Sequence, residues 1–270
     1  MALEVLDPGP STTVQDFGRP GHGAYGVAEG GAMDRELLAA VNRAAGNRPG
    51  AAALEFALKG PQLRWQGSGR LRLAIGADEI RQVTLGPGEK LDCGALRRRA
   101  YGYIAVAGSI EVPIVMGSRS TCLAGGFGGL QGRALQAGDS LTVAPAPKAL
   151  APPATFSRPY ADGPVVLRVL RVSRGSAWRR LLAAEWRVAT GNRVGLRLDG
   201  EPLHLAPLRL SQGVPPGALQ VTGSGQPILL LRDHPTVGGY PALAVVVSAD
   251  LDVASQVRLG ALIEFREAIA

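Results

Sequence analysis

Leu58-Lys59-Gly60-Pro61-Gln62-Leu63 and Leu198-Asp199-Gly200-Glu201-Pro202-Leu203 repeat one pattern, an apolar residue, a Gly-Pro turn and a second apolar residue, each after a helix-like segment. Two further pairs keep the same order: Leu3-Glu4-Val5-Leu6 with Leu167-Arg168-Val169-Leu170, and Leu135-Gln136-Ala137-Gly138-Asp139-Ser140-Leu141 with Val257-Arg258-Leu259-Gly260-Ala261-Leu262-Ile263. Ordered echoes at long spacing are the signature of an internal duplication. The offset shortens from 164 to 140 residues between the first two pairs, which places extra chain in the first half, in the Gly-rich stretch from Gly9 to Gly31. The expected fold class is mainly β with a few short helices, arranged as two pseudo-symmetric β-barrel lobes.

The flanking sequence agrees. Thirty-seven glycines and 20 prolines punctuate short apolar runs at the spacing of an all-β barrel or sandwich. Strands are expected at Leu71–Ile75, Tyr101–Val106, Leu141–Ala144, Val165–Val172, Gly217–Val221, Ile228–Leu231, Ala244–Val247 and Ala261–Phe265. One helix opens at Asp34 with Leu37, Val41, Ala44 and Ala45 on one stripe and stops at Gly46-Asn47. A second follows Gly175, with Ser176 as its cap and Trp178, Leu181 and Leu182 turned inward, and a short turn follows Ser248. Pro145, Pro147, Pro152, Pro153, Pro159 and Pro164 mark a stiff linker. The lobes are therefore expected at 1–146 and 165–270, joined by 147–164.

Composition narrows the function. A chain that is 46% hydrophobic and 19% charged has ample core and no need of disulfides, and Cys93 and Cys122 form no metal-binding pattern. No apolar run approaches the ~20 residues of a membrane span, and Met1 to Pro8 has no signal-peptide character, so a cytoplasmic protein without a membrane partner is expected. The net charge of +7 comes from 26 Arg against Lys59, Lys90 and Lys148, and its one tight run, Arg97-Arg98-Arg99, lacks the aromatic company of a nucleic-acid site. Nucleic acid is not expected as a partner. A small anionic ligand or an acidic protein suits arginine forks better.

Four segments carry chemistry. Gly18-Arg19-Pro20-Gly21-His22-Gly23-Ala24-Tyr25-Gly26 either lines a site or is a surface insertion. Gly117-Ser118-Arg119-Ser120-Thr121 combines three hydroxyls with a guanidinium, a composition suited to carboxylate or phosphate oxygens. Gly125 to Arg133 is either an anion-binding backbone loop or a plain hairpin, and it lacks the Lys-Ser or Lys-Thr of a Walker loop. Asp233-His234-Pro235-Thr236-Val237-Gly238-Gly239-Tyr240-Pro241 breaks an apolar strand with polar turn chemistry. No Ser-His-Asp order, H-E-x-x-H or nucleophile elbow is present, which argues against a covalent triad. Asp34 is a helix cap or an acid–base group.

Gly9-Pro10, Thr13-Val14-Gln15-Asp16-Phe17-Gly18-Arg19-Pro20-Gly21, Gly31-Ala32-Met33-Asp34, Gly46-Asn47 and Leu54-Glu55 follow one another in an order that resembles the biotin-dependent carboxyltransferase family. The likeness continues through Gly117-Ser118-Arg119-Ser120-Thr121, Gly138-Asp139, Asn192 to Leu198 and Thr236-Val237-Gly238-Gly239-Tyr240-Pro241. That family includes the carboxyltransferase domain of urea amidolyase, the Kip antagonists and the C subunit of bacterial 5-oxoprolinase, also described as allophanate hydrolase subunit 2-like. The resemblance implies two cyclophilin-like lobes whose singled-out loops meet in a groove. It further implies one component of an ATP-dependent lactam hydrolase, a 5-oxoprolinase, that works in a hetero-oligomer with a B-subunit-like (Kip inhibitor-like) protein and an A-subunit-like protein. ATP would be used with the partner protein.

On this reading Arg119 takes the substrate carboxylate or a transferred phosphoryl group, and Ser118, Ser120 and Thr121 donate hydrogen bonds. Asp16, Asp34 and Glu55 handle a proton or a metal whose identity is open. Tyr240 and Thr236 close the opposite wall, with Gly238, Gly239 and His22 beside the substrate. The alternatives are a carboxyltransferase receiving carboxybiotin for urea or another amide, and a non-enzymatic regulatory module like the Kip antagonist. No biotin is carried here, because Met1, Met33 and Met116 do not follow a lysine. The sequence departs from the family at Ala28 and Gly30, at Arg171 to Arg174, and at Thr222.

Overall fold

In the first half of the chain, small and large residues alternate along three adjacent strands. Ala53, Glu55, Ala74, Tyr103 and Ala105 point one way, and Leu54, Phe56, Leu73, Ile75, Ile104 and Val106 the other, and all are buried. A sheet buried on both faces needs cover on both. The computed structural model, which describes residues 1–145, 156, 158 and 163–268, supplies a helix on one side and a second sheet on the other.

The chain divides into two compact units, Met1–Arg19 with Gly30–Pro159, and Pro20–Glu29 with Tyr160–Ala270. Residues 20–29, expected in the first lobe, thus group with the second. Their physical character explains the difference, since this Gly-rich stretch forms a single 3-10 turn, Gly23–Tyr25, that buries none of its residues. Most of the expected linker lies outside the described residues.

The first unit contains β1 (Ala2–Asp7), β2 (Thr12–Gln15), α1 (Arg35–Ala44), β3 (Ala53–Ala57), β4 (Gln62–Trp65), β5 (Leu71–Gly76), β6 (Ile80–Leu85), β7 (Lys90–Asp92), β8 (Tyr101–Val106), β9 (Ile110–Glu111) and β10 (Ser140–Val143). They hydrogen-bond as two five-stranded sheets, β7-β4-β1-β10-β9 and β2-β3-β8-β5-β6. Leu3, Val5, Trp65 and Leu141 of one sheet and Leu54, Phe56, Leu73 and Ile104 of the other share a single core. On the outer face of the second sheet, Leu37, Leu38, Val41 and Ala44 of α1 pack on Ala53, Ala74, Tyr103 and Ala105. The small residues let the helix come close, and at Gly76 an added Cβ would stand 2.1 Å from Val41 Cγ2.

The second unit contains β11 (Val165–Arg171), α2 (Ser176–Ala183), β12 (Glu185–Gly191), β13 (Gly195–Asp199), β14 (Gln212–Gly213), β15 (Ala218–Val221), β16 (Pro227–Leu230), β17 (Val237–Gly238), β18 (Ala242–Val246), α3 (Leu251–Ser255) and β19 (Leu262–Glu267). Seven of the strands close a barrel in the order β11-β18-β15-β16-β13-β12-β19. Closure leaves no free edge in that ring. Val165, Leu167 and Val169 of β11, Trp186 and Val188 of β12 and Ile263 and Phe265 of β19 fill it on every second residue.

The echoed segments occupy corresponding stations, the opening strand, the chain after a helix and the closing strand. Their pairing differs, because β10 runs antiparallel to β1 whereas β19 runs parallel to β11. Both long helices stand where expected. Gly175, not Ser176, is the N-cap of α2, and no side-chain hydrogen bond caps it.

Asp139 closes the turn before β10. Its oxygens accept Arg133 Nη1 at 2.7 Å and Nη2 at 2.8 Å, and Oδ2 also accepts the Gln136 amide at 2.7 Å. The Arg133 guanidinium therefore holds the Asp139 carboxyl below its ordinary value. A carboxyl lowered in the folded state adds stability above the unfolded value, and that share is lost as pH falls through the folded value. Asp139→Asn is expected to destabilise the protein by about 1 kcal/mol at pH 7. In urea unfolding the gap from the parent should narrow as the buffer is taken below the ordinary aspartate value of about 3.9 and down through the folded-state value.

Candidate functional site

Asp16 follows β2 directly, and the loop from Val112 to Arg133 wraps around it. The Thr121 amide and hydroxyl both donate to the Val14 carbonyl, at 2.9 and 3.0 Å, which docks this loop beside β2. With the loop in place, Asp16 Oδ1 accepts the Gly18 amide at 2.8 Å, Ser118 Oγ at 2.6 Å and Ser120 Oγ at 2.5 Å. Asp16 Oδ2 accepts the Arg119 amide at 2.6 Å. Ser120 Oγ in turn accepts the Asp16 amide, and Ser118 Oγ accepts the Ser120 amide. Four donors on one carboxylate make Asp16 the keystone of the loop.

The arrangement changes the roles expected of the hydroxyls. Ser118, Ser120 and Thr121 are buried and spend their hydrogen bonds on Asp16 and the β2 backbone, leaving no free donor for a ligand oxygen. Arg119 is different. Its Nε donates to the Val112 carbonyl at 3.1 Å, which fixes the stem, and the residue lines the cavity beside it. That cavity, of about 450 Å³, is lined by Asp16 and Arg119 together with Arg48, Asn47, Ser109 and Glu111, all of the first unit.

Arg19 shows why the loop keeps its shape. It is 1% exposed, donates to the Val115 and Ser120 carbonyls and stacks 5.0 Å from the Phe127 ring. The glycines beyond it serve packing. A Cβ at Gly128 would meet the Ser120 oxygen at 2.1 Å, and one at Gly129 the Thr121 hydroxyl at 1.9 Å. The amides of Gly126, Phe127, Gly129, Gly132 and Arg133 all donate to carbonyls within the loop. Of the two readings of Gly125 to Arg133, this internal pairing favours the hairpin, with those five amides committed to the loop's own carbonyls.

Asp34 and Glu55 form a second, separate cluster. Asp34 Oδ1 accepts the Leu37 amide at 2.9 Å as the N-cap of α1, and Arg158 grips the same carboxylate, with Nη1 2.6 Å from Oδ2. Arg158 also contacts Glu36 and packs with Arg99 against the Phe156 ring. Glu55 Oε2 accepts the Met33 amide at 2.7 Å and the Tyr103 hydroxyl at 2.6 Å, and that hydroxyl accepts the Asp34 amide at 2.8 Å. Burial, helped by the Glu55 and Asp34 charges, pushes the Tyr103 phenol well above its usual range. Both carboxylates thus anchor the start of α1, and neither lines the Asp16 cavity. Among the described residues no three His, Cys, Asp or Glu side chains gather to hold a metal.

In the second unit Tyr240, Gly238 and Gly239 line another cavity, of about 490 Å³, with Arg197, Asn192 and Gln220. Gln220 Nε2 donates to the Tyr240 carbonyl at 3.0 Å, which seats the turn. Thr236 contributes its carbonyl to the Val214 amide, and His22 caps the 3-10 turn at Gly23. Neither lines this cavity. Arg48 and Gln220 were not singled out by the sequence, and Arg197 entered only within the stretch Asn192 to Leu198. What distinguishes them is the loop or strand that delivers them to a cavity.

A family model described as carboxyltransferase domain, subdomain A and B, matches residues 25–267. The chain belongs to the carboxyltransferase domain family. Within the family, this carboxyltransferase-type chain is 34% identical to the 5-oxoprolinase C subunit of Escherichia coli (strain K12), covering 97% of this chain and 90% of that protein. Among solved structures it matches TTHA0988 with 34% identity and a TM-score of 0.88, over 98% of this chain and 55% of that one. It also matches the urea amidolyase of K. lactis with 28% identity and a TM-score of 0.89, over 99% of this chain and 19% of that one. The chain therefore spans about half of TTHA0988 and a fifth of that amidolyase. No helix among its described residues is long and apolar enough to cross a membrane.

Proposed function

We propose that the chain is the C subunit of an ATP-dependent 5-oxoprolinase, which opens 5-oxo-L-proline to L-glutamate in a complex with B-subunit-like and A-subunit-like proteins. The observation that carries this reading is the 34% identity to a protein named as the C subunit of 5-oxoprolinase, along nearly the full length of both chains. The Asp16 cavity is compatible with it. An unactivated lactam resists water until its carbonyl oxygen is phosphorylated or polarised, and both activations build anionic oxygen that a guanidinium stabilises. Arg119 holds the substrate carboxylate or the transferred phosphoryl group, and Asp16 fixes the loop that carries it. On this reading ATP is used with the partner protein, and the Gly-rich loop of this chain lacks the Lys-Ser or Lys-Thr that closes a Walker loop.

A second reading, a carboxyltransferase that receives carboxybiotin and passes the carboxyl group to urea or another amide, is favoured by the likeness to K. lactis urea amidolyase. One experiment separates them. The chain co-purified with its adjacent-gene partner and the third component is assayed for ATP hydrolysis and glutamate release with and without 5-oxo-L-proline. Hydrolysis stimulated by 5-oxoproline, and a loss of at least about 100-fold in Arg119→Ala, is the expected result. A folded, assembled complex without turnover overturns the oxoprolinase reading. Full activity in Arg119→Ala overturns the role of that arginine.

A further inference from the structure

We infer that Arg48 is the second arm of a carboxylate clamp in the Asp16 cavity, so that the site selects small amides bearing a carboxylate over those without one. The identity of the substrate rests on the oxoprolinase reading; the clamp rests on the geometry alone. Arg48 and Arg119 reach the same cavity from places far apart in sequence, the loop after α1 and the loop after β9. Among the described residues no carboxylate pairs with Arg48, although Glu111 lines the same cavity. Asp16 offers it little competition, its oxygens being occupied by four donors.

The backbone under Arg48 is held far more firmly than a surface arginine requires. Asn42 Nδ2 donates to the Pro49 and Ala51 carbonyls, at 3.1 and 2.8 Å, and the Ala51 amide returns to the Arg48 carbonyl at 3.0 Å. Asn47 ties this loop to the turn after β8. Its Nδ2 donates to the Val106 carbonyl at 2.7 Å, and its Oδ1 accepts the Gly108 amide at 2.9 Å. The turn itself is strained, with Ser109 at φ +82°, and a Cβ at Gly108 would meet the Ala144 oxygen at 2.0 Å. Strain of this kind is kept where the surroundings over-determine a functional geometry. A fixed base lowers the ordering cost of a flexible side chain that closes on a ligand. Two arginines lining one cavity suit a carboxylate, whereas a neutral amide such as urea makes little use of their charge.

The test is titration calorimetry of the full chain, and of the assembled complex, with 5-oxo-L-proline and with 2-pyrrolidinone, the same ring lacking the carboxylate. The parent is expected to bind 5-oxoproline about 10-fold or more tightly than 2-pyrrolidinone. Arg48→Ala should erase about 10-fold of that preference while leaving 2-pyrrolidinone and the unfolding midpoint unchanged, and Arg48→Lys should restore part of it. In the active complex the same loss should appear in KM, with kcat within about two-fold. Unchanged 5-oxoproline affinity in Arg48→Ala, equal weakening of both ligands, or no binding of either overturns the clamp. Arg48-dependent binding without turnover would sink the oxoprolinase reading and leave the clamp standing. Turnover with a KM indifferent to Arg48 would do the reverse.

Discussion

Asp16→Ala is expected to destabilise the first unit by about 3 kcal/mol and to abolish ligand binding in its cavity. The size follows from what the substitution strands. Both serine hydroxyls can rotate toward water or another acceptor, but the Gly18 and Arg119 amides are fixed by the backbone and lose their partner. An unpaired, partly buried amide costs about 1–3 kcal/mol. Asp16→Asn is the informative control. It keeps one acceptor oxygen and turns the other position into a donor facing donors, so it should fall between the parent and alanine. Urea unfolding followed by intrinsic fluorescence reads the series, and an alanine variant with an unchanged midpoint would show that Arg19 and Thr121 hold the loop without Asp16.

The second large effect lies at the start of α1. Asp34 is fully buried and is both the helix cap and the partner of Arg158. Asp34→Ala removes a cap, worth about 1 kcal/mol, and leaves a largely buried guanidinium whose other carboxylate contact, Glu36, is exposed, so a loss of about 3–4 kcal/mol is expected. Arg158→Met should cost less, since the stranded Asp34 carboxylate keeps the Leu37 amide as a donor and an apolar stem stays beside Phe156. The double variant should then be milder than the sum of the two, by about 1–2 kcal/mol, because an orphaned charge no longer exists. Strict additivity in the unfolding series would mean that the pair is not coupled. Because neither residue lines the Asp16 cavity, variants that remain folded should keep their affinity for 5-oxoproline.

These two clusters show which parts of the molecule the sequence reveals and which it hides. The helix at Asp34, the strand at Tyr101–Val106 and the relation between the halves are written in local signals, a cap residue, a period and an ordered repeat. Strand partnership is not local, so nothing in Leu3-Glu4-Val5-Leu6 or its echo tells that one closing neighbour runs antiparallel and the other parallel. Glu55 stands out in sequence as a carboxylate within an apolar run, a pattern shared by reagents and by buried anchors. What separates the two is that β3 is covered on both faces, a property of the assembled sheet. Ser118 and Ser120 mislead for a related reason. Hydroxyls beside an arginine suit a ligand, but their acceptor, Asp16, lies more than a hundred residues away along the chain. Arg48 carries no motif at all, and its interest comes from the asparagines that hold its loop.

The membership of residues 20–29 in the second unit has a consequence for taking the molecule apart. The polypeptide leaves the first unit, enters the second, returns, and leaves again, so the two are sewn together by three passages of main chain. A protease that cuts once in the Pro-rich segment does not yield two self-sufficient halves, since the N-terminal fragment still owns a piece of its neighbour. Gene truncation at that point meets the same obstacle. A second half expressed from residue 165 onward lacks a stretch that only the first half encodes, and reconstitution from two fragments becomes a problem of complementation and not of simple docking.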